Sequence, residues 1–365
     1  MATPAPSLEQ AVAAIRPPDE EAMSRAAARQ ATLTKPPGSL GQLEELSIRL
    51  AGMMRTEQPR IGGKAIIIAA GDHGVVAQGV TAYPQDVTAQ MVLNFLAGGA
   101  AINVMCRQLS IRQIVVDAGV ATKLPPHPDL RALGIGRGTA DISRGPAMTR
   151  EQAQASVENG ISLAQECVES GIDLIGTGDM GIGNTTASAA ITSAITGLPP
   201  KDVTGDGAGR PAAGLDHKIA AIKRALEVNS PDPADGLAVL SGVGGFEIGV
   251  LSGVMIGAAA SGRPVVLDGF ISGAAALIAN VIAPAARDYM IAAHLSAERG
   301  HRAALNHLGL SPLLDLNMRL GEGTGAALAM PIIEAAVATL SEMATFGEAG
   351  VSGPTDEPGV REGEQ

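Results

Sequence analysis

Apolar residues along this chain fall into two patterns. Short unbroken runs of mostly β-branched and small apolar side chains recur four times, at residues 65–74 (AIIIAAGDHG), 113–120 (QIVVDAGV), 172–179 (IDLIGTGD) and 264–270 (PVVLDGF). Each run ends in Gly and Asp, and a helix-like stretch generally follows. Continuous rather than alternating hydrophobicity predicts strands buried on both faces, as in a parallel sheet layered by helices. If the runs share one sheet, Asp72, Asp117, Asp179 and Asp268 stand just beyond carboxyl ends of strands, where open α/β sheets bind ligands. Their spacing is too irregular for a solenoid.

The second pattern has a helical period. In residues 39–54 (SLGQLEELSIRLAGMM), Leu43, Leu46, Leu50 and Met53 form one stripe behind Ser39 and Gln42 in capping-box spacing. Another strong helix is predicted from about residue 324 to about 344. The expected architecture is therefore α/β: an open, mostly parallel, Rossmann-like sheet flanked by helices, with a small helical domain from the N- and C-terminal segments. Residues 9–60 supply the first helices of the small domain, 61–325 the large catalytic domain, and 326–346 the helix that completes the small one. The ends, 1–8 and 347–365, are rich in Pro, Gly and acids and read as disordered tails.

Composition narrows the partners. With 46 glycines and 46% hydrophobic residues in 365, helices can pack closely on a sheet, whereas 2% aromatics and no Trp leave few rings to stack on bases. A net charge of -11 opposes binding to nucleic acid, which needs a basic surface. Cys106 and Cys167 lie in apolar, helix-like surroundings without a C-x-x-C pairing and read as reduced core thiols of a cytoplasmic protein. The start of the chain has no basic region followed by an apolar core, and the apolar stretch 250–260 is too short and glycine-broken to span a bilayer, so no membrane role is expected.

Two glycine-rich segments carry candidate chemistry. In GIDLIGTGDMGIGNTT (171–186), Gly176, Gly178 and Gly181 have the G-x-G-x-x-G spacing of a dinucleotide site. The ribose-binding acid due about 20 residues later is missing, because 196–202 (TGLPPKD) reads as a loop. In MRLGEGTGAALAM (318–330), Glu322 stands among Gly321, Gly323 and Gly325. Such a Glu is either part of a solvated turn or a carboxylate placed where a ligand comes close, able to act as a general base. His73 beside Asp72 reads as a strand-end histidine; no metal-binding spacing accompanies it, and no metal or other cofactor is expected.

The segments LTKPPGSLGQLE, GDHGVVAQGVTAYPQDVTAQMVLNFLAGGAAINV, GTGDMGIGNTT, VGGFEIG, VVLDGFIS and LDLNMRLGEGTGAALAMP, in this order from Leu33 to Met343, resemble the nicotinate-nucleotide:dimethylbenzimidazole phosphoribosyltransferase family. The resemblance implies transfer of ribosyl phosphate from nicotinate mononucleotide to a nitrogen of 5,6-dimethylbenzimidazole, with inversion at the anomeric carbon and release of nicotinate, for cobalamin assembly. A pyridinium leaves as a neutral ring and needs no acid, but the acceptor must lose its N–H proton. The family's base falls on Glu322. The resemblance further implies that Gly176, Thr177 and Gly178, the helix start with Asn184, and Lys218 hold the nucleotide. Asp179, usually Glu in the family, faces the positive charge developing on the ribose, and Tyr83, Gln90 and Met180 line the acceptor site. Lys218 on sequence alone reads equally as part of a solvated helix face. Asp206 stands where the family usually has Arg, with Arg210 the nearby cation able to compensate. A homodimer is implied as well. A dehydrogenase and a non-catalytic nucleotide sensor remain the competing classes, and purines, other benzimidazoles or phenolic rings suit the same chemistry as acceptors.

Overall fold

The computed structural model describes residues 6–207, 209 and 214–353; Arg210 lies outside them. Among the described residues six strands form one sheet: β1 (Lys64–Gly71), β2 (Arg112–Gly119), β3 (Leu130–Ala132), β4 (Leu174–Met180), β5 (Val265–Leu267) and β6 (Met290–Ala292). Their order is β3-β2-β1-β4-β5-β6, and every neighbouring pair is parallel. The chain builds outward from β1 to β3, then returns to start β4 on the other side of β1. That reversal leaves a crevice at the carboxyl ends of β1 and β4, the usual ligand position of a doubly wound sheet.

The four apolar runs form β1, β2, β4 and β5, with Ala65 through Gly71 wholly buried. On one face, helix Phe246–Ala260 packs against helix Arg150–Glu169 through glycines. A β-carbon at Gly160 would run into the Val250 carbonyl, and one at Gly253 into the Val157 carbonyl. The abundance of glycine therefore serves backbone-to-backbone contact. On the other face, helix Thr324–Glu342 crosses β4 and β5. It and the stretch 87–108 are apolar and long enough to cross a bilayer by composition; here the latter is two helices interrupted at Gly98, and the former packs within the protein.

Helices Glu20–Thr32 and Gln42–Met53 pack together and onto Thr324–Glu342, with Ala26, Ala51 and Leu340 buried among them. The Arg29 guanidinium donates to the carbonyls of Leu340 (2.7 Å), Ser341 and Met343, and Leu33 pairs with Thr345. The capping box expected at Ser39 and Gln42 does not form. Gly41 is the N-cap, and the Glu44 carboxylate instead accepts from the N–H of Leu40 and pairs with Lys35 at 2.8 Å. The first helix, Leu8–Ala14, capped by Ser7, begins at the edge of the stretch read as a tail and packs on Phe246–Ala260 and Arg150–Glu169.

Candidate active site

β4 positions the first group of candidate residues. Gly176, Thr177 and Gly178 do not form a loop: they are buried in the strand. The Thr177 hydroxyl donates to Ser272 Oγ at 2.9 Å, and Gly176 makes room for Ile66 and Met330. At Gly178 a β-carbon would lie 2.6 Å from the Glu322 carbonyl oxygen, so this glycine lets two backbones touch. The loop expected at these three residues is therefore a strand, and the turn begins after it. The G-x-G-x-x-G spacing straddles a strand and the turn after it, and only Gly181 reaches the turn. It also follows the fourth strand of the chain, whereas a dinucleotide fingerprint opens the first.

The bend itself is Gly181–Ile182–Gly183, where Gly183, at φ 96°, starts helix Asn184–Thr196 without a side-chain cap. An uncapped helix start presents backbone N–H groups and the positive end of the helix dipole, which suits an anion. The Ile182 N–H donates to Thr88 Oγ1 (3.0 Å), tying the turn to helix Val87–Ala97. Lys218 is buried beside this start, and its ammonium donates to Thr185 Oγ1 (2.8 Å) and the Gly205 carbonyl. Burial brings its pKa down to about 8, against the opposing pull of Glu298 and Asp206. The solvated-face reading of Lys218 does not hold.

Asp179 and Asn184 sit at opposite ends of the turn, and Asn184 Nδ2 donates to Asp179 Oδ2 at 2.9 Å. Burial raises the Asp179 carboxyl well above the usual range, the neighbouring Asp268 raises it further, and the Asn184 hydrogen bond opposes both. Glu322 arrives from the loop before helix Thr324–Glu342. Gly321, Glu322 and Gly323 are all left-handed, at φ 83°, 64° and 90°. For a residue with a β-carbon that conformation is strained, by about 1 kcal/mol or more. Glu322 is nonetheless buried, its Oε2 has no hydrogen-bond partner among the described residues, and burial raises its pKa while the Ile102 N–H opposes. The solvated-turn reading fails here too.

Met180 is half-buried at the end of β4. Tyr83 is 47% exposed and lies close to Gly209, and Gln90 is exposed on helix Val87–Ala97. Three buried acids, Asp268, Glu247 and Glu298, were given no site role from the sequence. Asp268, noticed only as a strand-end acid, is fully buried and accepts from the N–H groups of Gly323 (3.1 Å), Gly325 (2.7 Å) and Ala326 (3.1 Å). His73 pairs with Glu247 at 2.7 Å, both buried; the glycines of VGGFEIG were the signal for Glu247. Glu298 accepts from the Gly207 N–H and borders a cavity of about 470 Å³ shared with Ser296, Arg299 and Arg302.

A doubly wound parallel sheet, with buried acids converging on its switch point and a lysine beside an uncapped helix start, defines an α/β protein built to receive a phosphorylated ligand. A family model described as phosphoribosyltransferase matches residues 15–351, and the chain belongs to that family. The nicotinate-nucleotide--dimethylbenzimidazole phosphoribosyltransferase of Roseiflexus sp. (strain RS-1) is 59% identical over 349 residues, 96% of this chain and 99% of its own length. The enzyme of that name from Desulforamulus reducens is 54% identical over 346 residues, 94% and 99% of the two chains. The crystal structure of its counterpart from Thermus thermophilus superposes with a TM-score of 0.87 at 48% identity, covering 92% of this chain and all of that one.

Proposed function

We propose that this protein transfers the phosphoribosyl group of nicotinate mononucleotide to 5,6-dimethylbenzimidazole, yielding α-ribazole 5'-phosphate and nicotinate for cobalamin biosynthesis. The observation that carries the reading is Glu322: a buried carboxylate with one oxygen unpartnered, held on strained backbone at the switch point. Burial brings such a group toward working pH, where it can take a proton from an azole nitrogen.

The remaining roles follow from the geometry. The phosphate sits at the Gly181–Asn184 helix start, with the Lys218 ammonium beside it at Thr185. Asp179 lies next to the Glu322 loop, since a β-carbon at Gly321 would be 3.3 Å from its Oδ1. Burial and the neighbouring Asp268 raise the Asp179 carboxyl well above the usual range; the positive pyridinium of the nucleotide, brought close, favours the carboxylate form. The carboxylate then faces the charge that grows on the ribose as nicotinate leaves. Met180, Tyr83 and Gln90 border the acceptor. The reaction needs no cofactor.

A homodimer is the assembly the family resemblance implies. The two cysteines are buried free thiols with pKa values pushed up to about 11 by burial, in keeping with the cytoplasm. Incubation with nicotinate mononucleotide and a panel of azole, purine and phenolic acceptors, with products identified by mass, tests the assignment. Nicotinate must appear only when an acceptor is present; binding of the nucleotide with no turnover on any acceptor would leave a sensor instead.

A further inference from the structure

We propose that Asp268 is a positioning residue for Glu322, fixing the left-handed loop from which the base acts; the inference rests on Glu322 being that base. The loop bends through three successive left-handed residues, a conformation that Glu322 on its own disfavours. What holds it is visible on both sides. From β5, the Asp268 carboxylate takes three N–H groups of the following turn, those of Gly323, Gly325 and Ala326, with Oδ2 on the first and Oδ1 on the other two. From beyond β6, the His294 ring lies where any side chain at Gly325 would be, and its Nε2 is 3.8 Å from Asp268 Oδ1. Beneath, Gly178 lets the Glu322–Gly323 peptide rest on β4.

Asp268 thus caps helix Thr324–Glu342 from a different strand, and the capped turn carries Glu322. A conventional cap is local to its own helix. This one spans more than fifty residues, and it links the base to the end of β5, beside β4. Asp268 does not touch the reacting atoms in this role. It decides where Glu322 stands, and a displacement of about 1 Å at a base can cost on the order of 100-fold in rate.

The test is a double-mutant cycle on the full chain. Asp268→Asn keeps the shape but replaces one accepting oxygen with an N–H donor. It is expected to lower kcat by about 10- to 100-fold while leaving KM for nicotinate mononucleotide within about twofold, because Lys218 and the Gly181–Asn184 turn are elsewhere. In a Glu322→Gln background, Asp268→Asn should change kcat little further, since there is no base left to misplace. Loss of the same factor in both backgrounds, or a loss confined to KM for the nucleotide, overturns the positioning role while leaving Glu322 as the base. A Glu322→Gln enzyme with unaltered kcat overturns the reading beneath it instead. Should Asp268→Asn not fold, nuclear magnetic resonance of the wild type decides. The titratable groups facing Asp268 are Asp179, Glu322 and His294, and its own carboxyl lies at about 7. The Gly323, Gly325 and Ala326 amides should shift together around that value, with kcat changing over the same interval. Amides that stay still while kcat changes overturn the proposal.

Discussion

Lys218 gives the proposed nucleotide site a sharp pH signature. In the unliganded protein its ammonium titrates at about 8 because burial disfavours the charge. A bound phosphate, a dianion above its second ionisation near pH 6, supplies a counter-charge and returns the ammonium toward the ordinary lysine value of about 10.4. The bound state therefore holds a proton that the free state loses through pH 8, and binding must weaken as pH rises. With those two values the dissociation constant is within about 10% of its low-pH limit near pH 7 and about 10-fold larger near pH 9, a loss of about 1.4 kcal/mol. Calorimetric titration of nicotinate mononucleotide at several pH values, in two buffers of different ionisation enthalpy, reads both the affinity and the proton taken up, which should approach one per nucleotide near pH 9. Lys218→Ala should abolish the uptake and weaken the nucleotide by about 1.5–3 kcal/mol, while hardly altering binding of the dephosphorylated nucleoside. An affinity that is flat between pH 7 and pH 9, or that falls equally in Lys218→Ala, refutes the reasoning.

Glu322→Gln should fold normally and lose about 100- to 10,000-fold in kcat with dimethylbenzimidazole, as expected for a lost general base; a variant near wild-type kcat removes Glu322 from the mechanism. Gly178→Ala puts a methyl 2.6 Å from the Glu322 carbonyl oxygen and 2.7 Å from the Gly323 nitrogen, both backbone atoms, so activity and melting temperature should both fall; normal values in both would mean that the loop does not rest on β4 as described. Asp179→Asn should lower kcat strongly with little change in KM for the acceptor, because the positive charge grows only on the way to the transition state. Unchanged kcat in that variant would leave Asp179 as no more than the partner of Asn184.

The layers of this fold were legible because four of its strands lie deep in a parallel sheet, where burial on both faces writes an unbroken apolar run. β5 is as short as β3 and β6 but sits in the β-branched run PVVLDG; β3 (Leu130–Ala132) is partly exposed, and β6 (Met290–Ala292) has a single β-branched residue, so neither leaves such a mark. At the site, residue types read better than local shape. Glu322, Asp179, Asn184 and Lys218 lie at one end of the sheet, whereas Gly176 and Gly178, read as a loop, lie inside β4. Glycine spacing does not distinguish a loop that admits a ligand from a strand that admits another strand's loop. Gly178 is of the second kind. Asp268 was hidden for a related reason: its three partners are backbone groups more than fifty residues away, and backbone groups have no letter in a sequence. Ser39 and Gln42 erred in the opposite sense, a correct motif for a cap that Glu44 and Lys35 pre-empt.

The junction between the two ends of the chain bears on how the protein is made. Helices Glu20–Thr32 and Gln42–Met53 find their partner surface on helix Thr324–Glu342, and Arg29 waits for carbonyls at 340–343. At ribosomal speeds of about 5–20 residues per second, the interval between the two is on the order of tens of seconds. Throughout that time the stripe of Leu46, Leu50 and Met53 has no native cover from the far end of the chain. The same late helix carries Glu322 on its leading turn and docks it over β4. A nascent chain can thus assemble β1 to β5 and the proposed phosphate-binding turn before the proposed base arrives, so the step that shelters the early helices is also the step that completes the proposed chemistry.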